Sequence, residues 1–230
     1  MPYRPLIYRP KVYNLKPTTK SKRTILEKGD GPTPTQAQLD HFKRNRKPII
    51  ESLLVPQLKK SKDVLHGATS RNTQVQHKLG TEEAKKQNLL VSTYDYDIWS
   101  KQPKKRAIEI ENKLDKQYNA DIAQVEKMPV GKRAPDFKGK PKTKQVDRYT
   151  VITPATPAGK QEVDYTSLPS RPFTTNTIHG VRHETISSSY KRAQQDKDIP
   201  LRSERAYAEI RKAQKLDSIL KRKGRKGVLE

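Results

Sequence analysis

Proline recurs along the whole length of this chain, 17 times in 230 residues, so few regular elements can run long without interruption. The second constraint is what could be buried. Only 31% of the residues are hydrophobic, against roughly 45–50% in an ordinary globular domain. Ordering a backbone costs roughly 1–2 kcal/mol per residue, and so little apolar surface does not offset it. The sequence therefore predicts a mostly extended, irregular chain carrying several separate α-helices. It predicts no independent globular core, with a conformation imposed by a large assembly.

Charge says what such an assembly would offer. Lys and Arg number 49 against 25 Asp and Glu, a net charge of +24 spread over the whole chain rather than confined to a tail. A chain of this kind seeks an acidic surface or a nucleic acid. With no cysteine, disulfides and thiolate chemistry are excluded. No apolar run approaches the roughly 20 residues of a membrane span, and no secretory signal is expected at the N-terminus.

The chain divides into five stretches by composition: 1–34, 35–98, 99–127, 128–200 and 201–230. The first is an extended arm. Tyr3, Tyr8 and Tyr13 alternate with Arg4 and Arg9 between closely spaced prolines, a pattern suited to a strip laid along an acidic surface. Stretch 35–98 reads as short broken helices and loops, with Thr35 capping a helix that Pro48 ends. The run STYDYDIW closes it, where Tyr94, Tyr96 and Trp99 are candidate aromatic anchors for a partner. Asp95 and Asp97 lack the further oxygen ligands and glycine turn of a calcium loop, so no metal is assigned to them.

Stretch 99–127 is predicted to be one amphipathic helix opened by Pro103. Ala107, Ile110, Leu114, Tyr118, Ile122 and Val125 fall on one face. Finding no matching surface in the chain, this stripe is expected to dock on a partner. Stretch 128–200 is a basic, proline-rich extended region. Lys132, Arg133, Lys138, Lys140, Lys142 and Lys144 are candidates for contact with a polyanion. RYTVIT at 148–153 has strand character and is read as adding to a partner's sheet edge, and Phe173 is a further anchor. HGVRHE at 179–184 is not a zinc-protease motif, because its glutamate is misplaced. The last stretch is a basic helix and tail. Ala206, Ile210, Ala213, Leu216 and Leu220 form a thin apolar stripe, and Lys221, Arg222, Lys223 and Arg225 face a polyanion.

The Tyr/Pro/Arg arm, separated helices and isolated aromatics resemble, in style across the whole chain, the microtubule inner proteins of ciliary doublets. That resemblance implies a non-catalytic structural component stapling the tubulin lattice beside neighbouring assembly proteins, in the cytoplasm, cytoskeleton and axoneme. The alternative is a ribosomal or other ribonucleoprotein component contacting RNA phosphates, in a mitochondrion or nucleus. No glycine-rich phosphate loop or nucleophile elbow occurs. No catalytic residue, cofactor or small-molecule substrate is therefore expected.

Overall fold

The first helix shows how proline is accommodated. In this computed structural model, which describes residues 24–27, 31–128, 147–157, 161–169, 172–198 and 203–229, helix α1 spans Gln36–Lys60 and contains both Pro48 and Pro56. Thr35 opens it with a capping box: its side chain accepts from the Gln38 N–H, and the Gln38 side chain accepts from the Thr35 N–H. The expected stop at Pro48 is instead a kink at Asn45 (φ −111°, ψ 15°), where the helix absorbs the ring and missing N–H three residues on. Beyond it, Ile50, Leu54 and Leu58 continue the buried face that Phe42 starts.

Fourteen elements are described in all. After α1 come strand β2 (Val64–His66), α2 (Gly67–Leu79), α3 (Thr81–Lys86) and β3 (Tyr96–Ser100). Then follow α4 (Pro103–Tyr118), β4 (Gln124–Lys127), β5 (Arg148–Ile152) and β6 (Val163–Ser167). The chain closes with β7 (Thr175–Ile178), β8 (Val181–Glu184), α5 (Ile186–Asp196) and α6 (Ser203–Arg222). Strand β1 (Thr24–Glu27) precedes them all at one sheet edge. The eight strands form one mixed sheet in the order β1-β4-β5-β6-β3-β2-β8-β7, in which β3 runs parallel to β6 and β2 parallel to β8.

The expectation of an extended, coreless chain is thus overturned. Leu65, Ile98, Val151, Val163 and Tyr165 come to one face of the sheet and pack under α1 and α4, with Phe42, Ile110 and Leu114 fully buried against them. A second cluster joins Val75 of α2, Ala84 of α3, Ile186 of α5 and Leu216, Ile219 and Leu220 of α6. Composition misled because the shortage of apolar residues is met by polar groups buried in pairs. Arg46 holds the fully buried Glu162 and lies 3.5 Å over the Tyr94 ring. Buried Tyr165 donates to Gln57, whose amide donates to the Arg106 carbonyl at 3.2 Å and to Glu109 at 3.0 Å. Buried polar groups paired in this way avoid the desolvation penalty of orphaned ones.

The predicted single helix 99–127 is in fact a strand end, a helix and a second strand. Trp99 belongs to β3. Helix α4 stops at Tyr118, with Asn119 in the left-handed conformation (φ 47°) as its C-cap. Asp115 Oδ1 accepts the N–H groups of Ile122 and Ala123, both at 2.9 Å, and turns the chain into β4. The segment read as a strand for a partner's edge is β5, hydrogen-bonded on both sides by β4 and β6 of this same chain.

Candidate functional site

Strand alternation sorts the side chains of the central strands onto two faces. In β3, Tyr96 and Ile98 enter the core, which sends Asp97 and Trp99 to the opposite face together with Asp95, two residues before Asp97. β6 lies alongside in parallel register, with Asp97 opposite Asp164. On the other side β2 pairs antiparallel, with His66 opposite Asp97. Three carboxylates are thereby gathered at the middle of the sheet, from β3 and the residue just before it and from β6, which is distant in sequence.

The turn from β2 into α2 closes over this group. Gly67 has φ +69° and lies so near β3 that a Cβ there would meet Asp97 Oδ2 at 2.2 Å. Only glycine permits that approach. The first turn of α2 has no side-chain cap and no acidic residue. Its N–H groups and the positive end of its dipole therefore favour an anion. Three hydrogen bonds fix the helix to the segment leading into β3: Thr69 Oγ1 donates to the Asp95 carbonyl at 2.9 Å, and Asn72 exchanges bonds of 2.8 and 2.9 Å with the Val91 backbone.

Each carboxylate has a distinct setting. Asp95 accepts from Thr93 at 3.1 Å and Gln161 at 2.9 Å. Asp97 is half-buried. Burial, and then the charges of Asp95 and Asp164, push its carboxyl up to about 7. Asp164 is buried; burial raises its carboxyl too, against the pull of Arg148. Arg148 Nε donates to Asp164 Oδ2 at 2.7 Å, while Oδ1 is buried and accepts no hydrogen bond. Basic groups surround the cluster from other elements. Arg192 of α5 and Arg205 of α6, with Arg148, add to burial in holding the His66 imidazole well below its usual range. Arg192 also bonds Glu184 at 2.9 Å and sits 5.3 Å from the Trp99 ring.

Among the described residues, no group of three or more His, Asp or Glu side chains is arranged to hold a metal ion as the side chains stand. The donor chemistry nevertheless fits a hard divalent cation. Carboxylate oxygens are the donors Mg²⁺ and Mn²⁺ prefer. Burial raises Asp97 first and its carboxylate neighbours second, and positive charge relieves that repulsion as well as the orphaned Oδ1 of Asp164.

The residues singled out from sequence fall elsewhere. Tyr96, Ile110, Leu114 and Ile122 are buried in this chain's own core, and Tyr118 packs edge-on against Phe42, so the stripe expected to dock on a partner is internal. Trp99 is buried between His66 (ring centroids 4.2 Å apart) and Phe173 (4.7 Å), and Tyr94 lies under Arg46. Lys221 pairs with Asp217 at 3.0 Å, Lys223 lies 3.8 Å from Glu83, and Arg225 donates to the Lys78 carbonyl at 2.7 Å, while Arg222 is exposed at the end of α6. Tyr3, Arg4, Tyr8, Arg9, Tyr13, Lys132, Arg133, Lys138, Lys140, Lys142 and Lys144 lie outside the described residues. Sequence reading missed Gly67, Arg148 and Asp164, and it set aside Asp95 and Asp97. The available signal was the alternation of YDYDIW, which marks a strand with acids on one face.

The chain is similar in fold to the Megavirus polyadenylate synthase. The likeness has a TM-score of 0.50 at 15% identity and covers 86% of this chain and 38% of the viral protein. JHP933 from Helicobacter pylori is a weaker match, with a TM-score of 0.37, 15% identity, and 82% and 76% of the two chains covered. No known protein family matches the chain, and no curated protein matches it in sequence. A folded domain with its own core and sheet overturns the reading of a chain stapled in extended form along a tubulin lattice, and equally the alternative of one threaded along RNA phosphates. Among the described residues, no helix is long and apolar enough to cross a membrane.

Proposed function

We propose that this chain is a metal-dependent nucleotidyltransferase domain acting on the end of a nucleic-acid strand. The observation that carries the reading is the gathering of Asp95, Asp97 and Asp164 beside the uncapped N-terminus of α2. The fold shared with a polyadenylate synthase agrees with it, and a net charge of +24 suits a polyanionic acceptor such as RNA. This reading departs from the non-catalytic expectation drawn from sequence.

In such a transfer, an acceptor hydroxyl oxygen forms a bond to the α-phosphorus of a nucleoside triphosphate. The bond to the bridging oxygen of the β-phosphate breaks, pyrophosphate leaves, and the hydroxyl proton passes to solvent. Asp95, Asp97 and Asp164 would hold the divalent cations. When bound, these supply charge neutralisation at the phosphates and a more acidic attacking hydroxyl. The first-turn N–H groups of α2 receive phosphate oxygens. Arg192 and Arg205 approach from the helices and add positive potential where pyrophosphate charge develops. Gly67 keeps the helix end against Asp97, so phosphate and carboxylate are held side by side.

The test is primer extension by the purified full chain with Mg²⁺ or Mn²⁺, an RNA oligonucleotide and each nucleoside triphosphate. Incorporation is expected, and D97N and D164N should each abolish it while leaving the thermal melt cooperative. Absence of incorporation with every nucleotide and both cations, or full activity in D97N, would overturn the reading.

A further inference from the structure

Asp164 differs from the other two carboxylates in what holds it. Both contacts from Arg148 fall on one oxygen, Nε at 2.7 Å and Nη2 at 2.5 Å from Oδ2, and Oδ1 is left buried without a donor. The two partners are unequally free to move. Arg148 keeps 40% of its side chain exposed, whereas Asp164 keeps 4% and is fixed on β6 between two neighbouring strands. A guanidinium does not lose its proton at any working pH, so it leaves a carboxylate only when displaced or when offered another anion.

We propose that Arg148 is a resident counter-ion that keeps Asp164 from the divalent cation, so that the carboxylate cluster is loaded only when Arg148 moves off. The inference rests on the nucleotidyl-transfer reading for the cation site and adds a control on it. Arg148 is a positioning residue: it acts through Asp164 and not on the reacting atoms. The guanidinium and the cation are both positive and compete for the charge of the same carboxylate, so each weakens the other's hold on it. The apparent cation affinity is therefore lowered by the fraction of molecules in which Asp164 is free. A nucleotide phosphate offers the guanidinium a replacement fork of oxygens. Nucleotide and cation then favour one another's binding, and by linkage the effect is reciprocal.

The experiment is titration of the full chain with Mn²⁺, reading free Mn²⁺ by its electron paramagnetic resonance signal, for the unaltered protein, R148Q, R148K, D164N and the double variant R148Q/D164N. R148Q is expected to bind Mn²⁺ about tenfold more tightly than the unaltered protein. R148K, which keeps a charge but loses the fork, should fall between them. The double variant should bind no better than D164N. Thermal unfolding gives a second readout: without cation R148Q should melt below the unaltered protein, and Mn²⁺ should raise its midpoint by more. If the unaltered protein binds Mn²⁺ and R148Q and R148K bind it equally or more weakly, the counter-ion role is refuted and the nucleotidyl-transfer reading stands. If no variant binds Mn²⁺ at all, both fall together.

Discussion

Gly67 is where backbone geometry and proposed chemistry meet, and Gly67→Ala tests the link. Two effects follow from adding one methyl group. At φ +69° an alanine is strained whatever surrounds it, by about 1–3 kcal/mol. In addition its Cβ would lie 2.2 Å from Asp97 Oδ2, so the carboxylate must retreat by about 1 Å to reach ordinary contact. Gly80, at the other end of α2, separates the two effects. Its φ is +82° and nothing lies within 4 Å of a Cβ built there, so Gly80→Ala carries strain without displacement. Both variants should lose about 1–3 kcal/mol in urea unfolding. Only Gly67→Ala should also lose primer extension, by about 10²-fold for a displacement of this size. The assay is single-turnover extension at saturating cation, normalised to the folded fraction. Equal activity in the two variants would refute the claim that Gly67 positions Asp97.

Two further outcomes follow from the cores and the buried histidine. Leu114→Ala, at a fully buried position of α4, should lower stability by about 2–5 kcal/mol in a cooperative denaturant transition; an unchanged midpoint would place the stripe outside the core. His183 is buried beside Ser70, and burial and then His179 lower its imidazole to about 4. The unfolded chain takes up this proton near pH 6.5 and the folded one only near 4. Its contribution is therefore fully present above pH 6.5 and is lost as pH falls toward 4, by about 3 kcal/mol at most. Melting temperatures across that range should fall less steeply in His183→Gln than in the unaltered protein.

How far the fold could be read from sequence varied with the range of the interaction involved. Local signals were legible. Thr35 with Gln38 is a helix start on its face, and the spacing of Ala206, Ile210, Ala213, Leu216 and Leu220 is that of a helix side, where α6 buries those residues. The core was not legible, because its parts are supplied by pairing across long separations. Glu162 is buried against Arg46, Tyr94 and Thr156, and Gln57 against Tyr165 and Glu109. A composition count treats Glu162, Arg46 and Gln57 as solvent-seeking. Helical periodicity also overreached. Ile122 and Val125 continue the spacing of Leu114 and Tyr118, yet the left-handed Asn119 and the Asp115 carboxylate end the helix before them. The carboxylate cluster was hidden for the same reason as the core. YDYD by itself offers two carboxylates, and the third becomes their neighbour only once β6 is laid parallel to β3.

That parallel pairing bears on when a newly made chain first gathers all three carboxylates. Asp164 leaves the ribosome 67 residues after Asp97, a delay on the order of 10 s at bacterial or eukaryotic elongation rates. During it, β3 has β2 beside it and one vacant edge, with unpaired N–H and C=O groups exposed to other chains. A nascent polypeptide truncated before β6 would carry Asp95, Asp97, the glycine turn and Arg148 of β5 but not the third carboxylate, and on the proposed reading it would be inert. If the proposed transfer activity holds, synthesis itself keeps the half-made domain silent, and the same interval is when it is most prone to stick to its neighbours on a polysome.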